Sequence, residues 1–112
     1  MIVQELIEKS GFSVLNAGNI SYSITNPFCC DLLSIAMSKA SPNTAWITVM
    51  GNVNTIAVAV LADVSCIILA ENIELDSVAL EKAVSQNVTI LKSPLPIFET
   101  ALKVYNLINN YD

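Results

Sequence analysis

The sequence predicts an α/β fold built on a parallel sheet, and three features of one stretch carry that prediction. Thr44–Ala70, TAWITVMGNVNTIAVAVLADVSCIILA, holds a single charge, Asp63. Its two Val/Ile-rich ends, Ala45–Met50 and Val64–Leu69, are apolar almost throughout, as strands covered on both faces are. Between them Gly51-Asn52-Val53-Asn54 breaks the run and ends in a residue suited to cap a helix. Asn54–Ala62 is therefore expected as the crossover of a right-handed βαβ unit. The competing interpretation is a membrane span, because Ala45–Ala62 reaches the minimum of about 17–18 residues that cross a bilayer. Asn52 and Asn54 in its middle, and flanks without Lys or Arg, oppose that interpretation.

The remaining elements follow in order. Ile2, Val3, Leu6 and Ile7 fall at helical spacing, and Gly11 is placed to end that helix in a left-handed conformation. Phe12–Leu15 and Ile20–Ile24 are expected as short strands joined through Asn16-Ala17-Gly18-Asn19, the second alternating apolar and polar residues. Asn26-Pro27 has the form of an N-cap followed by a first helical residue. The apolar stripe of that helix would be Phe28, Leu32, Leu33, Ala36, Met37 and Ala40, with Ser41-Pro42-Asn43 ending it. After the acidic connection Glu71–Glu74, Asp76 is suited to cap a helix, with Leu75 and Leu80 as a hydrophobic staple and Leu80, Ala83 and Val84 toward the core. Val88–Leu91 is expected as a further strand. Ser93-Pro94-Leu95-Pro96 leads into a last helix packed through Ile97, Phe98, Ala101, Leu102, Tyr105 and Ile108, and Asn109–Asp112 is expected to fray. No internal repeat, low-complexity tract or interdomain linker is evident, so residues 1–112 are expected to form one domain.

Composition narrows the function classes. Apolar residues make up 54% and charged ones 13%, against a usual charged share of about 25%. So little charge leaves apolar surface uncovered in a monomer, and a homo-oligomer, most simply a dimer, is expected. The net charge is −5, with five Lys and no Arg, which removes the basic footprint of nucleic-acid or anionic-membrane binding. There is no His, which excludes Ser-His and Cys-His catalysis and His-ligated metal. Three Cys and an N-terminus with acids ahead of any apolar run (MIVQELIEK) point to the cytoplasm.

Three segments together resemble the DRTGG domain family: CDLLSIAM (Cys30–Met37), AWITVMGNVNTIAVAVLADVSCIIL (Ala45–Leu69) and PIFETALKVYNLI (Pro96–Ile108). The resemblance covers roughly residues 1–110. It implies a three-layer α/β/α fold with a mostly parallel central sheet, similar to the amino-terminal domain of HPr kinase/phosphorylase. It also implies a regulatory or dimer-forming role, as in related domains of some phosphate acetyltransferases and CBS-containing pyrophosphatases. The Asp-Arg-Thr-Gly-Gly string itself is absent, and TNPFCC (Thr25–Cys30) stands where many members carry a glycine-containing turn. No Gly-rich loop ending in Gly-Lys-Ser/Thr is present, so kinase activity is not implied.

The candidate ligand-binding residues are Thr48, Gly51, Asn52 and Asn54, where the first core strand gives way to its helix. Free N–H groups and partial positive charge at a helix start suit a small anion or nucleotide, with Thr48 or Thr55 adding a hydroxyl. The plainer alternative is that Asn54 caps the helix and Asn52 makes the turn. Cys29 and Cys30 fall in the first turn of the expected helix, where a thiol pKa is lowered, yet no cation lies beside them in sequence and packing is the simpler role. Cys66 belongs to a core strand. Asp31 is expected on the same helix as the cysteine pair, in a structural role, and Glu71, Glu74 and Asp76 lack the spacing of a metal loop. The wholly apolar helix Thr55–Ala62, with small Ala57 and Ala59, is either covered by the domain or meets a partner. The expectation is thus a non-catalytic regulatory module without cofactor or metal, which self-associates and senses a small anionic ligand or docks on a partner enzyme. A small enzyme using Cys30 or Asp31, or a purely structural subunit, are the alternatives.

Overall fold

The computed structural model describes residues 1–111; Asp112, the last residue of the expected fraying tail, lies outside them. The elements are α1 (Val3–Ser10), β1 (Ser13–Asn16), β2 (Asn26–Cys29), α2 (Leu33–Lys39), β3 (Thr44–Thr48), α3 (Val53–Ala62), β4 (Cys66–Leu69), α4 (Ser77–Gln86), β5 (Ile90–Lys92) and α5 (Ile97–Ile108). One five-stranded sheet has the order β1-β5-β4-β3-β2, with β2 through β5 parallel and β1 antiparallel to β5. Every residue of β3 and β4 is buried, as a two-sided apolar strand requires.

Alternation along the strands sorts the core into two halves. Ile47, Ile68 and Leu91 face α1 and α5, where Val3, Leu6 and Val104 close the packing. Trp46, Ile67 and Ile90 face the opposite layer, with Ile56 and Ala59 of α3 and Ala79 and Ala83 of α4. The result is the α/β/α sandwich expected of this chain. Trp46 is fully buried and donates its indole N–H to the Cys30 carbonyl at 3.0 Å, so its polar edge is satisfied inside the core.

Two of the expected elements form differently. Ile20–Ile24 is not a strand; only Ser23 makes an isolated bridge, to Ile2. Asn19 Oδ1 accepts from the Ser21 N–H at 3.0 Å and turns the chain, after which Ile20 and Tyr22 offer their carbonyls to the Gln4 and Val3 N–H groups. The unpaired donors at the start of α1 thus take the acceptors that a sheet would have used. Asn26-Pro27 opens a strand rather than a helix. A residue before proline is biased to extended backbone, and proline is tolerated in an edge strand, which β2 is. The helix begins only at Leu33, so Cys29 ends β2, and Cys30 and Asp31 lie in the connection.

Helix faces also shift. In α4 it is Ala79 and Ala83 that are buried, while Leu80 and Val84 are exposed. In α5 the deeply buried residues are Thr100 and Val104, and Phe98, Leu102 and Tyr105 point outward. The small residues set the depth at which each helix sits on the sheet. Thr100 is accommodated because its hydroxyl bonds with Ser93 Oγ at 2.9 Å and with the Leu95 carbonyl at 3.1 Å.

The ends of α3 and α4 follow one pattern, Ala59-Val-Leu-Ala-Asp-Val-Ser65 and Ala83-Val-Ser-Gln-Asn-Val-Thr89. Asp63 and Asn87 adopt the left-handed conformation, and the Val64 and Val88 N–H groups bond back to the Ala59 and Ala83 carbonyls. Ser65 and Thr89 then hold the segment between β1 and β2 against this end of the sheet. Ser65 donates to the Ser23 carbonyl, and Thr89 Oγ1 accepts from the Gly18 N–H at 2.9 Å.

Candidate functional site

Because β2 to β5 are parallel, their carboxyl ends lie along one edge, which gathers most residues singled out from sequence. Asp31 follows β2 and reaches across to the end of β3. Its Oδ1 accepts from the Thr48 hydroxyl at 2.7 Å and from the Val49 N–H at 2.9 Å. Thr48 is fully buried, and its oxygen accepts in turn from the Met50 N–H at 3.2 Å. Asp31 therefore fastens the connection after β2 to the turn after β3, the structural role expected of it, although from a loop and not from a helix.

Asn52, not Asn54, caps α3. Its side-chain oxygen accepts from the Asn54 and Thr55 N–H groups at 3.0 and 3.2 Å, from an extended backbone that a cap requires. Asn54 is the second helical residue and is exposed. Gly51 is fixed by crowding: a Cβ there would lie 2.5 Å from the Glu74 carbonyl oxygen, and the Gly51 carbonyl accepts from the Asp76 N–H at 3.2 Å. Thr55 is buried, and its Oγ1 has no hydrogen-bond partner among the described residues. The four candidates are thus neighbours in one turn, but Thr48 is occupied by Asp31 and Asn52 by its own helix.

In open α/β sheets ligands bind where neighbouring strands send their connections to opposite faces. Here that place lies between β4 and β5, since β4 leads to α4 and β5 to α5 on the other side of the sheet. The chain closes the crevice itself. The Glu71 and Asn72 N–H groups bond to the Leu95 and Ser93 carbonyls at 2.8 and 2.9 Å, and the Ser93 N–H bonds to the Leu69 carbonyl at 2.8 Å. The turn at Gly51–Asn54 lies between two connections that leave on the same face, so it has no such crevice beside it. Topology, which a single sequence does not display, separates the two places.

The acidic connection is accounted for locally. Glu74 pairs with Lys92 at 2.7 Å, and Asp76 caps α4 through the Ala79 N–H at 2.7 Å. Among the described residues no group of three Cys, Asp or Glu is placed to hold a metal ion. Burial, and then the nearby Asp31 charge, raise the Cys29 pKa, the reverse of what a nucleophile needs. Cys66 is completely buried and pushed up to about 12 by desolvation. At the opposite edge a shallow polar depression lies between the ends of α3 and α4, lined by Tyr22, Asp63, Ser65, Gln86, Asn87 and Thr89 among others. In the sequence the paired Ala-Val-x-x-[Asp/Asn]-Val-[Ser/Thr] segments, outside the candidate residues named above, are the signal that marks it.

No family model matches the chain, and no curated protein matches it. Among solved structures the fold is similar to that of the CBS and DRTGG domains of the regulatory region of Clostridium perfringens pyrophosphatase, complexed with its activator diadenosine tetraphosphate. The TM-score is 0.71 at 12% sequence identity, over 92% of this chain and 45% of that one. The present chain therefore spans less than half of that structure, and the likeness is one of fold. No helix among the described residues is long and apolar enough to cross a membrane.

Proposed function

We propose that this chain is a single DRTGG-like domain over residues 1–112 and a non-catalytic regulatory module of the cytoplasm, acting by self-association and by docking on a partner enzyme. The observation that supports this reading is the fold likeness, across 92% of the chain, to part of a regulatory region. Nucleophilic activity through Cys29 or Cys66 is disfavoured by the raised Cys29 pKa and by the complete burial of Cys66. The test is native mass by light scattering over a wide concentration range. A dimer is the expected result, and a monomer at all concentrations overturns the self-association.

A second reading is favoured by the nucleotide bound to the similar structure. In it a nucleotide or small anion meets Thr48, Gly51, Asn52 and Asn54 at the start of α3. Thermal melting with diadenosine tetraphosphate, ATP, acetyl phosphate and inorganic phosphate tests it. A ligand of the folded state adds about 2.7 kcal/mol at a hundredfold excess over its dissociation constant. That gain should vanish in Asn54→Ala, which leaves the Asn52 cap in place. Absence of any shift retires the ligand and leaves the interaction module standing.

A further inference from the structure

We infer that the outer face of the α2–α3–α4 layer, centred on α3, is the surface through which two copies of this chain pair. The inference rests on the self-association proposed above and adds its location. Of the fourteen large apolar side chains exposed among the described residues, eight lie on these three helices or on Leu32, the cap of α2. Val60 and Leu61 of α3 stand at the centre, Leu61 with 72% of its surface free. Ile35 and Met37 of α2 lie to one side, and Leu80 and Val84 of α4 to the other. The strand order places α3 between α2 and α4.

Charge singles out a second copy as the occupant. In a two-fold interface each residue on the axis meets itself, so any charge there meets a like charge. Helix α3 has none, and its exposed Ala57 lets two helices approach closely. The three helices hold Lys39, Glu81 and Lys82, and with the caps Asp63 and Asp76 of α3 and α4 the layer carries −1 in a chain of net −5. Two copies facing each other along α3 therefore bring no like charges together at the centre of the contact.

The apolar area supplies roughly three quarters of what a standard interface uses. A Val, Leu or Ile side chain hides roughly 60–120 Å² of apolar surface when fully buried, so eight half-exposed ones offer on the order of 350 Å². An interface of standard size buries about 800 Å² per partner, a little over half of it apolar. The competing apolar surface, Phe98, Leu102 and Tyr105 on α5, is smaller and shares its helix with Glu99 and Lys103.

Light scattering on wild type, Leu61→Asp and Phe98→Asp decides the matter, with circular dichroism to confirm that each is folded; both side chains are largely exposed, so both variants should fold. The expected result is a dimer for wild type and Phe98→Asp, and at least a hundredfold weaker association for Leu61→Asp. A dimer lost only in Phe98→Asp, or kept in both variants, overturns the location and leaves self-association intact. A wild type that is monomeric throughout overturns the self-association itself. Should Leu61→Asp misfold, Ala57→Glu, at another exposed position of α3, repeats the test.

Discussion

The two edges of the sheet are built on different terms. At the amino end of the parallel strands, the segment from Ala17 to Thr25 lies across the sheet and is held by side chains just ahead of β4 and β5. Asn16 donates to the Val88 carbonyl at 2.8 Å, Thr89 accepts from Gly18, and Ser65 donates to Ser23. At the carboxyl end the connections hold one another, through Asp31 on the β3 turn, Asn52 and Asp76 on their helices, and the main-chain bonds between Glu71–Asn72 and Ser93–Leu95. The first edge depends on close packing against backbone. The second depends on acceptors placed over exposed N–H groups, and among the described residues only there is a buried hydroxyl, that of Thr55, without a partner. Parallel architecture alone does not make the carboxyl edge receptive, because the same loops that define the crevice between β4 and β5 also fill it.

This contrast is best broken at Gly18. A Cβ there would lie 2.2 Å from the Asn87 carbonyl oxygen and 2.8 Å from the Thr89 nitrogen, both backbone atoms. Gly18→Ala should cost about 3 kcal/mol, at the upper end for overpacking, with a matching loss in the urea midpoint. A smaller loss would mean that the covering segment gives way freely. Next in size, Asp31→Asn weakens the bonds to Thr48 and Val49 by removing the charge, and about 1–2 kcal/mol is expected in denaturant unfolding. Asn52→Ala removes a cap and should cost about 1 kcal/mol.

Thr55→Val replaces an unpartnered hydroxyl by a methyl of similar shape and should be neutral or raise stability slightly. If a ligand supplies the missing partner, the same variant should also lose the melting shift that ligand produces.

The smallest effect near neutral pH concerns Cys66. Its folded pKa, about 12, lies above its ordinary value of 9.0, so its contribution is complete below pH 9 and is lost as pH rises toward 12. Melting curves of wild type and Cys66→Ala should therefore run parallel up to pH 9 and converge above it. A difference that changes between pH 5 and 8 contradicts the assignment.

Much of the architecture was legible because burial on both faces leaves an apolar signature that needs no partner to read. TAWIT and CIIL announce themselves as strands, and Asp76 as a cap. Ile20–Ile24 shows the limit. Its alternation is that of a strand, but its carbonyls answer the open start of α1, which is separate in sequence though near in space. Asn26-Pro27 shows another, since the same dipeptide suits a helix start and an edge strand, and pairing with β3 decides. The break in the apolar run is legible at Gly51, but the helix starts at Val53 with Asn52 as its cap, so Asn54, the expected cap, lies inside it. What sequence did not convey is that Asp31 enters from another connection to occupy Thr48, and that the connections beside the start of α3 leave on the same face of the sheet.

The ends of the sheet constrain how this protein grows into anything larger. Its terminal strands, β1 and β2, are four residues each; β2 contains a proline and β1 an irregularity between Val14 and Asn16. Short length, proline and a bulge are the devices that keep one sheet from adding strands of another. Lateral fusion into a continuous ribbon, with its route to fibres, is thereby discouraged at both margins. The pairing proposed above uses contacts between helices instead, and a two-fold contact closes after two copies.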